Sequence, residues 1–342
     1  MVYSFELLKH ANIRYRESLP ALASCELFAM LFSLGITCEI KQETLGGSRF
    51  LTFECRDLSD SELSFLSGHS SVVFMAEKTD GFLKPLPVTS DAYLPDDLPE
   101  VMKYKGKTSV TFTRMMINIA AALSSFRNLH SPLTFLDPVC SRGTGCFCAL
   151  TAGMNAVGID LDRKDIKEAV DYFSRYLQYH KLKHETKSRS ETIRNQAVPV
   201  TSFVFASQKE QYRSGDVRNL TLACSDTVFS PALFRKEKAH IAAADLPYGI
   251  QHAPQEGDRP ESLQRFLLRA LPAWKQSLYP GGVLAVSFNT MTLPSGQVRE
   301  ALIQSGFKLP RNEMFLQLRH EVEHAVIRDV VFALNTEEEL SI

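Results

Sequence analysis

The first 80 residues change hydrophobic period several times, and each change marks an element. Residues 2–8 alternate as a strand, and residues 19–34 carry apolar side chains at helical spacing until Gly35. Residues 38–43 and 49–55 alternate again around Gly46-Gly47, the signature of a hairpin. Ser59 then opens a short helix, and residues 71–76 read as a closing strand. The order βαββαβ predicts a ferredoxin-like α+β domain over residues 1–80. Pro85, Pro87, Pro95 and Pro99, interleaved with Asp91, Asp96 and Asp97, break every period over residues 81–104, which predicts a linker.

From residue 105 to 342 the pattern becomes that of an α/β sheet. A helix over 110–123 precedes short apolar runs ending at Asp137, Asp160 and Asp245, each bounded by turn residues, as buried parallel strands read. An amphipathic helix fits 162–179, with Ile166, Ala169, Val170, Phe173 and Leu177 on one face. Further on, the pattern predicts a helix over 262–278, a turn at Tyr279-Pro280-Gly281-Gly282 and a buried strand over 283–288. Residues 315–319 and 325–334 are expected to form a terminal antiparallel pair. The fold class that follows is a Rossmann-like, mostly parallel α/β sheet with an antiparallel last strand, preceded by the smaller domain.

Two strand ends carry chemistry. Phe135-Leu136-Asp137 runs into Pro138-Val139-Cys140-Ser141-Arg142-Gly143-Thr144-Gly145 and then a helix. Gly143 and Gly145 allow close backbone approach, and a helix N-terminus offers free N–H groups. A second strand ends at Asp160, followed by Leu161, 23 residues after Asp137, near the spacing that sets an acid on a ribose hydroxyl. Dinucleotide-binding dehydrogenases and S-adenosylmethionine (SAM) methyltransferases share this layout. The dehydrogenase fingerprint wants a third glycine where Cys148 stands; SAM has no phosphates and tolerates its absence. Downstream, Asp245-Leu246-Pro247-Tyr248 joins an acid, a rigid turn and a stacking ring, a set suited to a planar group with an exocyclic amine. The Asp245 motif alone reads better as a strand that closes in a proline turn; joined to the glycine-loop strand end, it points to nucleoside chemistry.

With Gly249, and with Tyr104-Lys105-Gly106-Lys107-Thr108 and Phe112-Thr113-Arg114 upstream, these motifs resemble the RNA methylases of the tRNA guanine-N2-methyltransferase type. The resemblance covers roughly residues 100–335. It implies the class I methyltransferase sheet, SAM as cofactor and an RNA substrate, tRNA above all. By position it implies that Asp245, Pro247 and Tyr248 are catalytic and that Asp137, Ser141, Gly143, Thr144, Gly145, Asp160 and Leu161 bind cofactor. Asp216 and Val217, in Gly215-Asp216-Val217-Arg218, resemble the motif that holds the cofactor's adenine, with Asp226 as the other candidate. Ser141 stands where these enzymes usually carry glycine, and the N-terminal region is too short to hold a complete THUMP module in addition to its own fold. Related motifs serve adenine-N6 and protein-glutamine methylation; Leu246 favours the guanine-N2 type. A non-catalytic SAM-binding subunit is the reading from a different class.

Composition changes this little. With 38 Lys and Arg against 39 Asp and Glu, the chain has no global nucleic-acid signature, so RNA contact requires a local patch. Residues 175–194 supply one candidate, six Lys and Arg against two Glu, although such runs are more often solvated faces. No apolar stretch is long enough for a bilayer, and seven cysteines without a CxxC pair suit free thiols in a reducing cytoplasm. No metal site and no membrane contact are expected; an activating protein partner is left open. His320-Glu321-Val322-Glu323-His324 fits a zinc-protease pattern that requires a helix, but its neighbours read as strands, which would separate the two histidines by about 13 Å.

Overall fold

The structure is a computed structural model and describes every residue except 89–91, 105, 130, 235–236, 248–254, 257–258, 317, 324–325 and 338–342. The elements are β1 (Val2–Leu7), α1 (Ile13–Ser33), β2 (Ile40–Leu45), β3 (Ser48–Glu54), α2 (Asp60–Ser67), β4 (Val72–Thr79), β5 (Phe82–Leu86), α3 (Leu98–Val101) and α4 (Val110–Leu123). They continue with β6 (Thr134–Asp137), α5 (Thr144–Thr151), β7 (Asn155–Asp160), α6 (Arg163–Tyr179), β8 (His184–Ile193), β9 (Gln196–Phe205), α7 (Lys209–Ser214), β10 (Arg218–Cys224) and α8 (Ser230–Leu233). The last are β11 (Ala239–Asp245), β12 (Gln255–Glu256), β13 (Arg259–Pro260), α9 (Leu263–Ser277), β14 (Leu278–Asn289), α10 (Ser295–Gln304), β15 (His320–Glu323) and β16 (Val326–Leu334).

β1 to β5 form an antiparallel sheet in the order β2-β3-β1-β4-β5. Gly46 and Gly47, both at positive φ, close the β2–β3 hairpin, and a Ser59–Glu62 capping box starts α2. Helix α1 begins six residues before the apolar period suggests. Asn12 caps it by accepting the N–H groups of Arg14 and Tyr15. Pro20 inside α1 has no N–H for the Arg16 carbonyl, which instead accepts from the Arg49 guanidinium at 2.7 Å. The expected linker also starts later, because residues 82–86 form β5. Asp80 and Gly81, both at positive φ, make the turn that sends β5 back along β4, and Pro85 is tolerated because β5 is the sheet edge.

The large sheet has nine strands in the order β15-β16-β14-β11-β6-β7-β10-β9-β8. Its centre, β14-β11-β6-β7-β10, is parallel. β16 and β9 run against their neighbours. Two expectations shift here. Tyr279 to Gly282 belong to β14 rather than to a separate turn: Leu278 already pairs with Ala239, and the register slips before Ile241 meets Val283. The outer partner of β16 is His320–Glu323, so four residues of the zinc-protease pattern are extended; the segment expected there, 315–319, instead begins in the last two residues of the short 3-10 helix Glu313–Leu316.

Two cores sandwich this sheet. Phe266, Leu271 and Trp274 of α9 pack with Leu302 of α10 on one face. On the other, α4, α5 and α6 pack together with Tyr15, Leu19, Leu22 and Ala29 of α1. The opposite side of α1, through Ala23, Leu27 and Met30, fills the core of the five-stranded sheet. Helix α1 is thus apolar nearly all round because it is buried between two layers. No helix among the described residues is long and apolar enough to cross a membrane.

Candidate active site

The chain leaves β6 for β7 on one side and returns to β11 on the other, so the carboxyl end of β6 is a topological switch point, where open α/β sheets hold ligands. The three strands there all end in aspartate. Asp137 is opposite Gly158 on one side and adjoins the Ala242–Ala243 level on the other; Asp160 and Asp245 therefore each extend two residues further, about 7 Å. Asp137 lies recessed between two projecting acids. It is 8% exposed, and burial raises its pKa well above the usual carboxylate range, with Asp160 and Asp245 adding to the effect. Burial also raises the pKa of Asp160, opposed by two backbone hydrogen bonds.

The loop from Cys140 to Gly145 curls beside these acids. Ser141 takes a left-handed conformation at φ +46°, the backbone that glycine adopts most easily. The Ser141 backbone N–H donates to Asp160 Oδ2 at 2.7 Å, and the side chain compensates through its hydroxyl, which donates to Asp165 Oδ2 at 2.8 Å. Asp160 Oδ1 accepts the Asp162 N–H at 2.9 Å, leaving a second lone pair on each oxygen. Arg142 bridges Asp165 and Glu168 at 2.9 and 3.0 Å. Gly143, at φ +88°, stands just before α5. At Gly145 an added Cβ would lie 2.3 Å from Asp137 Oδ2, so only glycine fits beside that acid. Cys140 and Cys146 pack equally closely around Gly158 and, like Cys148, are buried thiols with raised pKa values.

Asp245 is half-buried, and the Leu246 N–H that follows it donates to the Ser287 carbonyl at 2.8 Å. The Thr108 hydroxyl donates to Asp245 Oδ2, and the Arg328 guanidinium stands 3.9 Å from the same oxygen. Arg328 is buried on β16, over the ring of Phe112 at 4.7 Å. Beside it lies His320, whose pKa burial pushes down to about 4. Pro247 is half-buried; Tyr248 and Gly249 lie outside the described residues.

Asp137, Ser141, Gly143, Thr144, Gly145, Asp160 and Asp245 therefore meet at one sheet edge, with Leu161 exposed at its rim. Asp216 and Val217 do not join them. They precede β10 and so lie at its amino end, roughly 20 Å from the edge that holds Asp160. The Asp216 carboxylate pairs with Arg218, and its carbonyl accepts from the Tyr93 hydroxyl. Asp226 lies past the carboxyl end of β10, where Ser225 N–H bonds the Asp160 carbonyl. Its two oxygens take the Val228 N–H and Arg269, which also grips Glu261. Sequence reasoning missed Thr108 as a partner of Asp245, and Arg328 as well. An arginine inside the apolar run of β16 was the available signal for the latter.

No protein-family model and no curated protein matches the chain. Solved structures that resemble it include TrmN from Thermus thermophilus, at 15% identity and a TM-score of 0.41, over 87% of this chain and 59% of that one. The rRNA methyltransferase aviRa from Streptomyces viridochromogenes aligns at 12% identity and a TM-score of 0.41, over 71% of this chain and 91% of its own. Magnesium protoporphyrin IX methyltransferase (ChlM) from Synechocystis PCC 6803 with bound SAM aligns at 14% and 0.40, over 70% and 89%. The chain spans 59% of the length of TrmN, and at these identities and TM-scores the likeness carries no statement about activity.

Proposed function

We propose that this chain is a SAM-dependent methyltransferase acting on an exocyclic amine of a nucleobase, guanine N2 in tRNA being the favoured target. The observation that carries this reading is the row of three aspartates at the ends of β6, β7 and β11. The projecting Asp160 and Asp245, flanking the buried Asp137 beside a glycine loop, oppose an anionic pyrophosphate and favour a ligand with a sulfonium and an ammonium. That argues against a dinucleotide and for SAM. Gly143, Thr144 and Gly145, at the start of α5, would cradle its methionine end, with Asp137 near the amino group and Asp160 on the ribose. Asp226 replaces Asp216 as the residue proposed for the adenine end. The guanine-N2 choice rests on the Asp245-Leu246-Pro247-Tyr248 resemblance; the first 80 residues, read as a ferredoxin-like domain from their βαββαβ order, would help hold RNA.

Bound SAM supplies an activated methyl group, so the chain's task is positioning and charge. Asp245 would accept a hydrogen bond from the amine and keep the nitrogen lone pair from delocalising into the ring. It would then take up the proton that the amine sheds as the new N–C bond forms. Tyr248 would stack the extruded base and offset part of the few kcal/mol lost on unstacking.

The test pairs binding with turnover. SAM, not NAD, is expected to bind in calorimetry; tight NAD binding alone would reject the cofactor. Asp245→Asn preserves shape and removes charge, so single-turnover methylation of unmodified tRNA should slow by about 10- to 150-fold, with SAM affinity nearly unchanged. A mutant as fast as the native protein would make Asp245 structural.

A further inference from the structure

We propose that Thr108 is a positioning residue for Asp245, and that the stretch leading into α4 locks together the two halves of the site. The inference rests on the function proposed above and assigns a role to a part of the chain outside the sheet. Three residues of this stretch, spaced four apart, each touch the site. The Tyr104 hydroxyl is 2.8 Å from Thr144 Oγ1, at the start of α5 on the cofactor loop. Thr108 donates to Asp245 Oδ2. Phe112, in the first turn of α4, lies beneath the Arg328 guanidinium, which faces that same oxygen.

Tyr104 is itself fixed. Arg142 covers its ring at 4.8 Å, and burial raises the pKa of its hydroxyl to about 12, so it stays protonated at neutral pH. Lys107 anchors the intervening turn by donating to the Pro99 carbonyl at 2.6 Å. A carboxylate otherwise rotates over a broad, roughly two-fold range. The Thr108 hydroxyl on Oδ2, with the guanidinium on the same side, helps set the plane in which the carboxylate meets an amine. Because the donor belongs to a segment that also touches the cofactor loop, the plane is fixed relative to the methyl source rather than to β11 alone.

Thr108→Val removes the hydroxyl at constant shape, and Thr108→Ser retains it. With the full chain, SAM and a pool of transcribed tRNA, Thr108→Val should slow single-turnover methylation about tenfold or more, the effect of one hydrogen bond to a charged group. SAM affinity should stay within about twofold, and Thr108→Ser should recover most of the rate. Thr108→Val combined with Asp245→Asn should be no slower than Asp245→Asn alone, since the hydroxyl acts through the carboxylate. A Thr108→Val protein that turns over at the native rate while Asp245→Asn is impaired would overturn the role of Thr108 and leave the proposed function standing. Thr108→Ser as slow as Thr108→Val would also overturn it, by showing that packing rather than the hydroxyl matters. If Asp245→Asn itself proceeds at the native rate, the reading of the site fails, and this inference with it.

Discussion

The buried ring of His320, beside Arg328, carries a pH dependence whose sign follows from its burial. The His320 Nδ1–H donates to the Leu318 carbonyl at 2.9 Å, while Nε2 is buried with no hydrogen-bond partner among the described residues. Tyr15 and Phe112 pack against the ring; the charged groups facing it are Arg328, which opposes protonation, and Asp245, which favours it. Burial dominates and lowers the pKa from 6.5 to about 4. The folded state therefore binds a proton less readily than the unfolded chain. The stability this provides is present above pH 6.5 and is lost as pH falls toward 4. Between pH 7.5 and 5 the loss from this group should be about 2 kcal/mol. Urea unfolding of the native protein and of His320→Phe at both pH values measures it; equal pH sensitivity in the two would assign the dependence to other groups.

At the scale of elements, legibility followed burial. β6, β7 and β11 were readable because strands buried on both faces are short apolar runs with abrupt polar ends, and Asp137, Asp160 and Asp245 are those ends. The hairpin β8–β9 was not. Its outer strand, β8, is exposed along most of its length, so Lys187, Ser188, Arg189 and Ser190 show no apolar period and resemble a basic loop. Asp216 was misplaced for a related reason: an acid beside a turn reads alike whether the chain is entering a strand or leaving it. β5 and the first turn of α1 were hidden by Pro85 and Pro20, whose missing donors are handled by an edge position and by Arg49. The charges of β8 keep an open sheet edge from pairing with other strands. Its Lys187 and Arg189 already have Glu185 and Glu191 as partners. If this strand and the turn that leads into it also meet RNA phosphates, replacing Lys181, Lys183 and Lys187 by Gln should lower the slope of log affinity for tRNA against log salt by up to about 2.7. An unchanged slope would restrict the charges to edge protection.

Across the whole molecule, the two sheets are joined through α1. Glu26 is completely buried at that junction. It accepts the Ser70 N–H at 2.8 Å, the Ser70 hydroxyl at 2.5 Å and the Asn118 side-chain amide of α4 at 2.7 Å, with His69 Nε2 3.5 Å away. Glu26→Ala would strand donors from both layers and should cost about 3 kcal/mol or more in denaturant unfolding. A change under about 0.5 kcal/mol, as at an exposed position, would show that the junction does not depend on it. The double burial of α1 also has a consequence for biosynthesis. The helix ends at Ser33, but α4, which covers its second face, ends at Leu123, about 90 residues later. At about 5–20 residues per second, the stripe bearing Leu19, Leu22 and Ala29 stays uncovered for roughly 5 to 20 seconds on each ribosome, long enough to recruit a chaperone or a neighbouring nascent chain.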